Sequence, residues 1–187
     1  MKKILTILII LGIIAAILFV LLQVIKVQDI ILRKLFKKDY SEYVEIYAEE
    51  YDIDPLLIYS IIKAESGFNP KARSRSGAYG LMQVMEDTAV EVAEKQSIRL
   101  DDIELLYEPA ININIGVAYF KELKEKYNGN ELLAIIAYNG GIGNVDRWIR
   151  EETIKPTGED IENVPFKETN MYVRRIVKNY EIYKDLY

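Results

Sequence analysis

The sequence predicts an all-α globular domain standing behind a single N-terminal transmembrane helix. Three observations carry that reading. An apolar run of 19 residues, Ile4 to Leu22, is interrupted only by Thr6 and Gly12. Composition then changes abruptly after Lys38. Beyond that point apolar residues recur at helical spacing, punctuated by helix start and stop signals.

As a helix the apolar run extends about 28 Å, enough to cross the hydrocarbon core of a bilayer. A cleavable signal peptide has a shorter apolar core and a small-x-small cleavage site. Here Ala15 and Ala16 lie inside the run, and Phe19-Val20-Leu21-Leu22-Gln23-Val24 offers no small residue. Lipoprotein anchoring needs a cysteine, and the chain has none. The segment is expected to be an uncleaved signal anchor. Lys2 and Lys3 favour a cytoplasmic N-terminus, but Lys26, Arg33, Lys34, Lys37 and Lys38 follow the run. The positive-inside rule alone therefore leaves the orientation open. Ile30, Ile31, Leu32, Leu35 and Phe36 lie among those bases, the pattern of an amphipathic stalk at a membrane surface. The expected organisation is an anchor and basic juxtamembrane stalk over 1–38 and one globular domain over 39–187.

Residues 1–38 hold seven of the 24 Lys+Arg and one of the 29 acids. The remainder has 17 bases and 28 acids, a net charge of −11 that repels nucleic-acid phosphates and excludes DNA or RNA as the main partner. All 14 tyrosines lie in that remainder. Histidine and cysteine are absent throughout. That excludes Cys/His zinc sites, Ser-His-Asp triads, Cys-His dyads, disulfides and thiolate-bound clusters. No cofactor or metal is expected, and acid–base chemistry falls to Asp, Glu, Lys or Tyr.

The body reads as a succession of helices. Tyr43, Ile46, Tyr47 and Tyr51 recur at helical spacing in the first. Asp54 caps the next, with Pro55 at its first position; it runs through Ile58, Ile61 and Ile62 to Glu65, and Gly67 stops it. Residues 68–83, rich in Ser, Gly, Asn and Arg, read as a long ordered loop, a length at which loops are usually functional. Further helices are expected over 87–96, 109–127 and 131–138, then a short one to Arg150 and a last one over 166–187. A polar connection covers 153–163. The two tyrosine-rich helices at opposite ends are expected to pack together.

Glu65 stands out. With Ile58, Ile61 and Ile62 it forms the i, i+3, i+4, i+7 stripe that should face a core. Burial favours the neutral carboxyl, and so does the last turn of a helix, where the macrodipole opposes negative charge. A carboxyl with a raised pKa is what a general acid needs near neutral pH.

Four blocks then stand in order: Ala64-Glu65-Ser66-Gly67, Gly80-Leu81-Met82-Gln83, Ala137-Tyr138-Asn139 and Glu168-Thr169-Asn170-Met171-Tyr172-Val173. Together they resemble the soluble-type lytic transglycosylase catalytic domain, glycoside hydrolase family 23, a relative of goose-type lysozyme. The resemblance covers residues 40–187 and implies a lysozyme-like fold. It implies that Glu65 is the catalytic acid/base and that Ser66 contacts the cleft beside it. Met82 and Gln83 would face the sugar chain, Tyr138 and Asn139 would shape the floor near the scissile bond, and the Tyr172 hydroxyl would point at the catalytic carboxyl. Glu168, Tyr172 and Arg175 share one face of the last helix, which suits that aim. Tyr and Met offer flat apolar surface to sugar faces, while Gln and Asn offer paired donors and acceptors.

The same resemblance implies the reaction. Glu65 protonates the glycosidic oxygen between N-acetylmuramic acid and N-acetylglucosamine of peptidoglycan, then deprotonates the sugar's own C6 hydroxyl, giving a 1,6-anhydromuramyl end. Ordinary glycosidases use two carboxylates. Glu86 and Asp87 read instead as an acidic helix start, and Glu168 as holding a loop or helix start. A hydrolytic muramidase and a non-catalytic wall-binding or assembly module are the alternatives; the latter should have lost its acid. Ser60-Ile61-Ile62-Lys63 fits the Ser-x-x-Lys pattern of penicillin-binding enzymes, but Lys155-Pro156-Thr157-Gly158 only imitates their Lys-Thr-Gly. Peptidoglycan lies outside the membrane, so the domain is expected there, single-pass and with its N-terminus inside. Wall-remodelling or secretion machinery is the expected kind of protein partner, and the sequence sets no oligomeric state.

Overall fold

A computed structural model describes residues 2–187, with side chains described for 11–14 and 16–187. The chain divides into two units, residues through Lys37 with Leu186–Tyr187, and Lys38–Asp185.

In the first unit, helix α1 spans Lys2–Leu35. Among the described residues its stretch Leu11–Leu35, of mean hydropathy 2.3, is long and apolar enough to cross a membrane. Leu11, Ile14, Leu18, Leu22 and Ile25 are all exposed, as befits a helix apolar on every side. The expected span over 4–22 includes residues 4–10 and 15, whose side chains lie outside the described ones, as do those of Lys2 and Lys3. The helix runs on unbroken past Leu22, with Arg33 paired to Asp29 one turn earlier at 3.0 Å.

The second unit is helical, with one small sheet. Its elements are α2 (Ser41–Tyr51), α3 (Pro55–Glu65), β1 (Ala78–Tyr79), β2 (Val84–Met85), α4 (Glu86–Gln96), α5 (Pro109–Lys126), α6 (Glu131–Gly140), α7 (Ile142–Arg150) and α8 (Lys167–Leu186). Helix α3 starts as the sequence dictates, with the Asp54 carboxylate accepting from the Leu56 N–H at 2.8 Å. Every residue from Leu57 to Ile62 is buried, so α3 is a core helix rather than a half-solvated one. Helix α5 is the hub on which α2, α4, α6 and β2 pack. Asn130 caps α6 through the Leu133 N–H.

Two expectations need correction. Residues 68–83 are not all loop: Ala78 and Tyr79 pair antiparallel with Met85 and Val84. Strands of two residues are too short to show an alternating pattern. Helix α6 continues past Tyr138 to Gly140 because its backbone ladder persists, ending only where Gly141 takes φ +81°. The ring contact of the last helix that stands out is with α3. Tyr183 of α8 stacks on Tyr59 of α3, with centroids 5.8 Å apart, while Tyr51 of α2 donates to Asn114 of α5.

One buried amide fastens the loop between the two strands. Asn112 of α5 accepts from the Met82 N–H at 2.7 Å and donates to the carbonyls of Tyr79 and Leu106. Gly80 makes this approach feasible: at φ +72°, a Cβ there would fall 2.3 Å from the Leu106 carbonyl oxygen. An Asn112→Ala substitution strands three buried polar partners. It should lower the unfolding free energy by about 3 kcal/mol, measured by urea denaturation of the full chain in detergent micelles.

Candidate active site

Glu65 ends α3 and its carboxyl opens into a cleft of roughly 420 Å³. Three other parts of the chain complete the walls. Ser74, Ser76 and Gln83 come from the loop around β1, Tyr138 and Asn139 from the end of α6, and Phe166, Glu168 and Thr169 from the start of α8. A second hollow, lined by Thr88 and Tyr119, continues the first across Gln83, Met85, Tyr138 and Asn139. The result is an elongated groove with Glu65 in its wall.

The Tyr172 hydroxyl donates to Glu65 Oε1 at 2.6 Å, a short hydrogen bond. Tyr172 is itself buried, and α8 is fixed in rotation by Thr169, Val173 and Ile176, also buried. Burial pushes the Glu65 carboxyl up to about 7. The Tyr172 bond and the Arg175 charge pull it down, and the Glu168 carboxylate pushes it further up. Burial, with the Glu65 charge, also raises the Tyr172 and Tyr138 phenols well above their ordinary value. Both therefore remain hydrogen-bond donors at any physiological pH.

The residues singled out in the sequence fare differently. Glu65, Gln83, Tyr138 and Asn139 line the cleft, and Tyr172 meets Glu65 from behind. Gln83 sits at φ +49° and donates its side-chain N–H to the Gly80 carbonyl at 3.0 Å. Tyr138 donates to the Met82 carbonyl at 2.8 Å. Met82 does not face the groove. It is fully buried against α5, where a Cβ on Gly116 would lie 2.6 Å from its sulfur. An unbranched thioether fills that gap, and only its backbone serves the site. Ser66 turns its hydroxyl inward to the Leu81 carbonyl at 2.8 Å, tying the helix end to the loop.

Some contributors were not read from the sequence. Glu168 occupies the first turn of α8 as expected, yet it also lines the cleft. Phe166 forms one wall, propped edge-on by Trp148 at 5.0 Å. Asn112 had a weak signal, a buried amide in the run Ile111-Asn112-Ile113-Asn114-Ile115, which carries a second amide at Asn114. Ser74, Ser76 and Met85 had none, because the loop lacks a period. Among the described residues no group of three or more Asp or Glu could hold a metal ion.

The transglycosylase SLT domain pattern matches residues 42–161, well over half of the chain. The chain belongs to the transglycosylase SLT domain family. The matched stretch contains Glu65, Gln83 and Tyr138, and α8 lies beyond it. The putative soluble lytic murein transglycosylase of Haemophilus influenzae is 34% identical over 145 residues, 77% of this chain and 24% of that protein. Membrane-bound lytic murein transglycosylase C of Edwardsiella ictaluri is 39% identical over 117 residues, 58% of this chain and 33% of that protein. An inactive mutant of the lytic transglycosylase Slt from Pseudomonas aeruginosa superposes with a TM-score of 0.74 at 32% identity, over 82% of this chain and 25% of that one. The 70 kDa soluble lytic transglycosylase of Escherichia coli gives 0.75 at 29%, with the same coverage. The all-α, lysozyme-like fold class is thereby established. This SLT-domain chain spans about a quarter of the length of the soluble relatives it matches.

The raised Glu65 carboxyl has a stability consequence with a definite sign. The folded state holds this proton more tightly than the unfolded state, whose carboxyl titrates near 4.5. Stability is therefore lost as pH rises from about 4.5 to about 7. Glu65→Gln should exceed wild type in unfolding free energy at pH 8.5 by up to about 3 kcal/mol, and urea melts at lower pH should show the gap closing by about pH 4.5.

Proposed function

We propose that this chain cleaves the β-1,4 bond between N-acetylmuramic acid and N-acetylglucosamine in peptidoglycan without using water. The observation that carries the reading is Glu65, a carboxyl held protonated near neutrality in the wall of a groove and oriented by one phenol. Near its midpoint it is equally fit to give a proton and to take one back. It donates to the glycosidic oxygen as the bond to C1 breaks, and the leaving N-acetylglucosamine departs as an alcohol. The N-acetyl group stabilises the positive charge at C1. The Glu65 carboxylate then removes the C6 hydroxyl proton, the C6 oxygen bonds to C1, and Glu65 is protonated again. Attack within one sugar gains from high effective molarity. Tyr172 holds Oε1 and so turns the other carboxyl oxygen to the substrate. Gln83, Tyr138 and Asn139 meet the glycan, while Ser66 and Met82 serve through the loop they fasten.

The apolar helix supports membrane attachment, and a relative carries the name of a membrane-bound enzyme. Because the substrate lies outside the membrane, we place the N-terminus inside and the SLT domain outside, in a single-pass arrangement with residues 1–38 as anchor and stalk. Peptidoglycan strands are the proposed partner.

Glu168 in the same cleft favours a second reading, hydrolysis with two carboxylates. Mass spectrometry of muropeptides released by the full chain in micelles separates the two, since the products differ by one water. Anhydro ends are expected. Mainly reducing ends, open to borohydride, would assign a hydrolase instead. Glu65→Gln should lower cleavage by roughly 100- to 10,000-fold, and activity like wild type would remove Glu65 from its role.

Tyr172→Phe deletes a hydrogen bond to a charged group. Its kcat should drop roughly 10- to 100-fold with KM little changed, read in steady-state assays on solubilised glycan strands. An unchanged kcat would leave Tyr172 a packing residue.

A further inference from the structure

The face of α8 that carries Tyr172 also carries two opposite charges. Glu168, Tyr172 and Arg175 fall within about 60° of one another around the helix. Thr169, Val173 and Ile176 are buried and fix the rotation of α8, so this face is presented to the C-terminal end of α3. Tyr172 bonds Glu65, and Arg175 Nη1 reaches to 3.5 Å from the Ala64 carbonyl oxygen, one residue before it. Glu168 lies on the cleft side with Glu65. The last carbonyls of a helix carry partial negative charge, which disfavours a carboxylate there; a guanidinium at that end offsets it.

We propose that Arg175 is a positioning residue for Glu65, holding the end of α3 from α8 and opposing Glu168 so that Glu65 can surrender its proton as well as keep it. The proposal rests on the acid/base reading above. It supplies what that reading needs in its second half. Burial alone makes Glu65 a good acid and leaves it protonated, whereas the carboxylate left after proton donation must persist long enough to deprotonate the C6 hydroxyl. The other ionisable groups that face Glu65 are Tyr138 of α6 and Tyr172 of α8, both kept as neutral phenols by burial. The loop around β1 lines the cleft with Ser74, Ser76 and Gln83, none of which titrates. Arg175 and Glu168 are thus the full charges that bear on Glu65, and they act with opposite sign. Arg175 does not line the cleft; it acts through the carboxyl.

The test is the pH dependence of kcat/KM for the full chain in micelles on solubilised glycan strands. Activity falls on the alkaline side as Glu65 loses its proton. Arg175→Gln should move that limb upward by roughly half a unit to one unit, and Glu168→Gln should move it downward. Arg175→Lys should restore the wild-type profile. Added salt should shrink the Arg175→Gln displacement, because the guanidinium is exposed and screened. A limb that superposes on wild type in Arg175→Gln, even with a lower rate at every pH, would make Arg175 a packing residue and overturn the proposal. The two readings fail separately. If Glu65→Gln cleaves like wild type, the acid/base assignment falls; if that variant is dead and the Arg175→Gln limb stays put, only the role of Arg175 falls.

Discussion

The site depends on one hydrogen bond between residues 107 apart in sequence, from the Tyr172 hydroxyl to the Glu65 carboxyl. It joins the end of a helix buried on all sides to a helix whose rotation three buried residues fix. Neither partner has freedom to drift. The carboxyl pays for burial by holding its proton up to about 7, and the phenol limits that rise by favouring the ionised form. Acid and base capacity in one group follow from that balance.

A second set of contacts keeps the opposite wall in place. The segment Gly80–Gln83 is fastened from three helices: by Asn112 of α5 at the Met82 N–H, by Ser66 at the end of α3 at the Leu81 carbonyl, and by Tyr138 of α6 at the Met82 carbonyl. Met82 anchors the same segment by filling the space above Gly116. Several residues of the four blocks therefore serve to shape backbone. Their spacing reflects a network of fasteners as well as a set of cleft-lining residues.

Much of this was legible in the sequence, and the exceptions have physical causes. The stripe Ile58, Ile61, Ile62 and Glu65 gave a carboxyl facing the core, because helical period maps directly onto a face. The i, i+4, i+7 spacing of Glu168, Tyr172 and Arg175 gave the face of the last helix in the same way. Met82 was misplaced because it sits in irregular backbone, where no period tells inside from outside. The hairpin was invisible because two residues cannot alternate. The stacking of Tyr183 on Tyr59 of α3 was not legible, because tyrosine richness says nothing about which helices adjoin. The long apolar helix was the easiest element, since length and apolarity alone define it.

The central claim is that Glu65 holds a proton near neutrality because of where the fold puts it. Carbon-13 NMR of the full chain, labelled at glutamate side-chain carboxyls and assigned with Glu65→Gln, reads that proton directly. The account predicts a Glu65 midpoint near 7, set apart from the other glutamates. A midpoint near 4.5, the ordinary value, would contradict it and leave the groove without its acid.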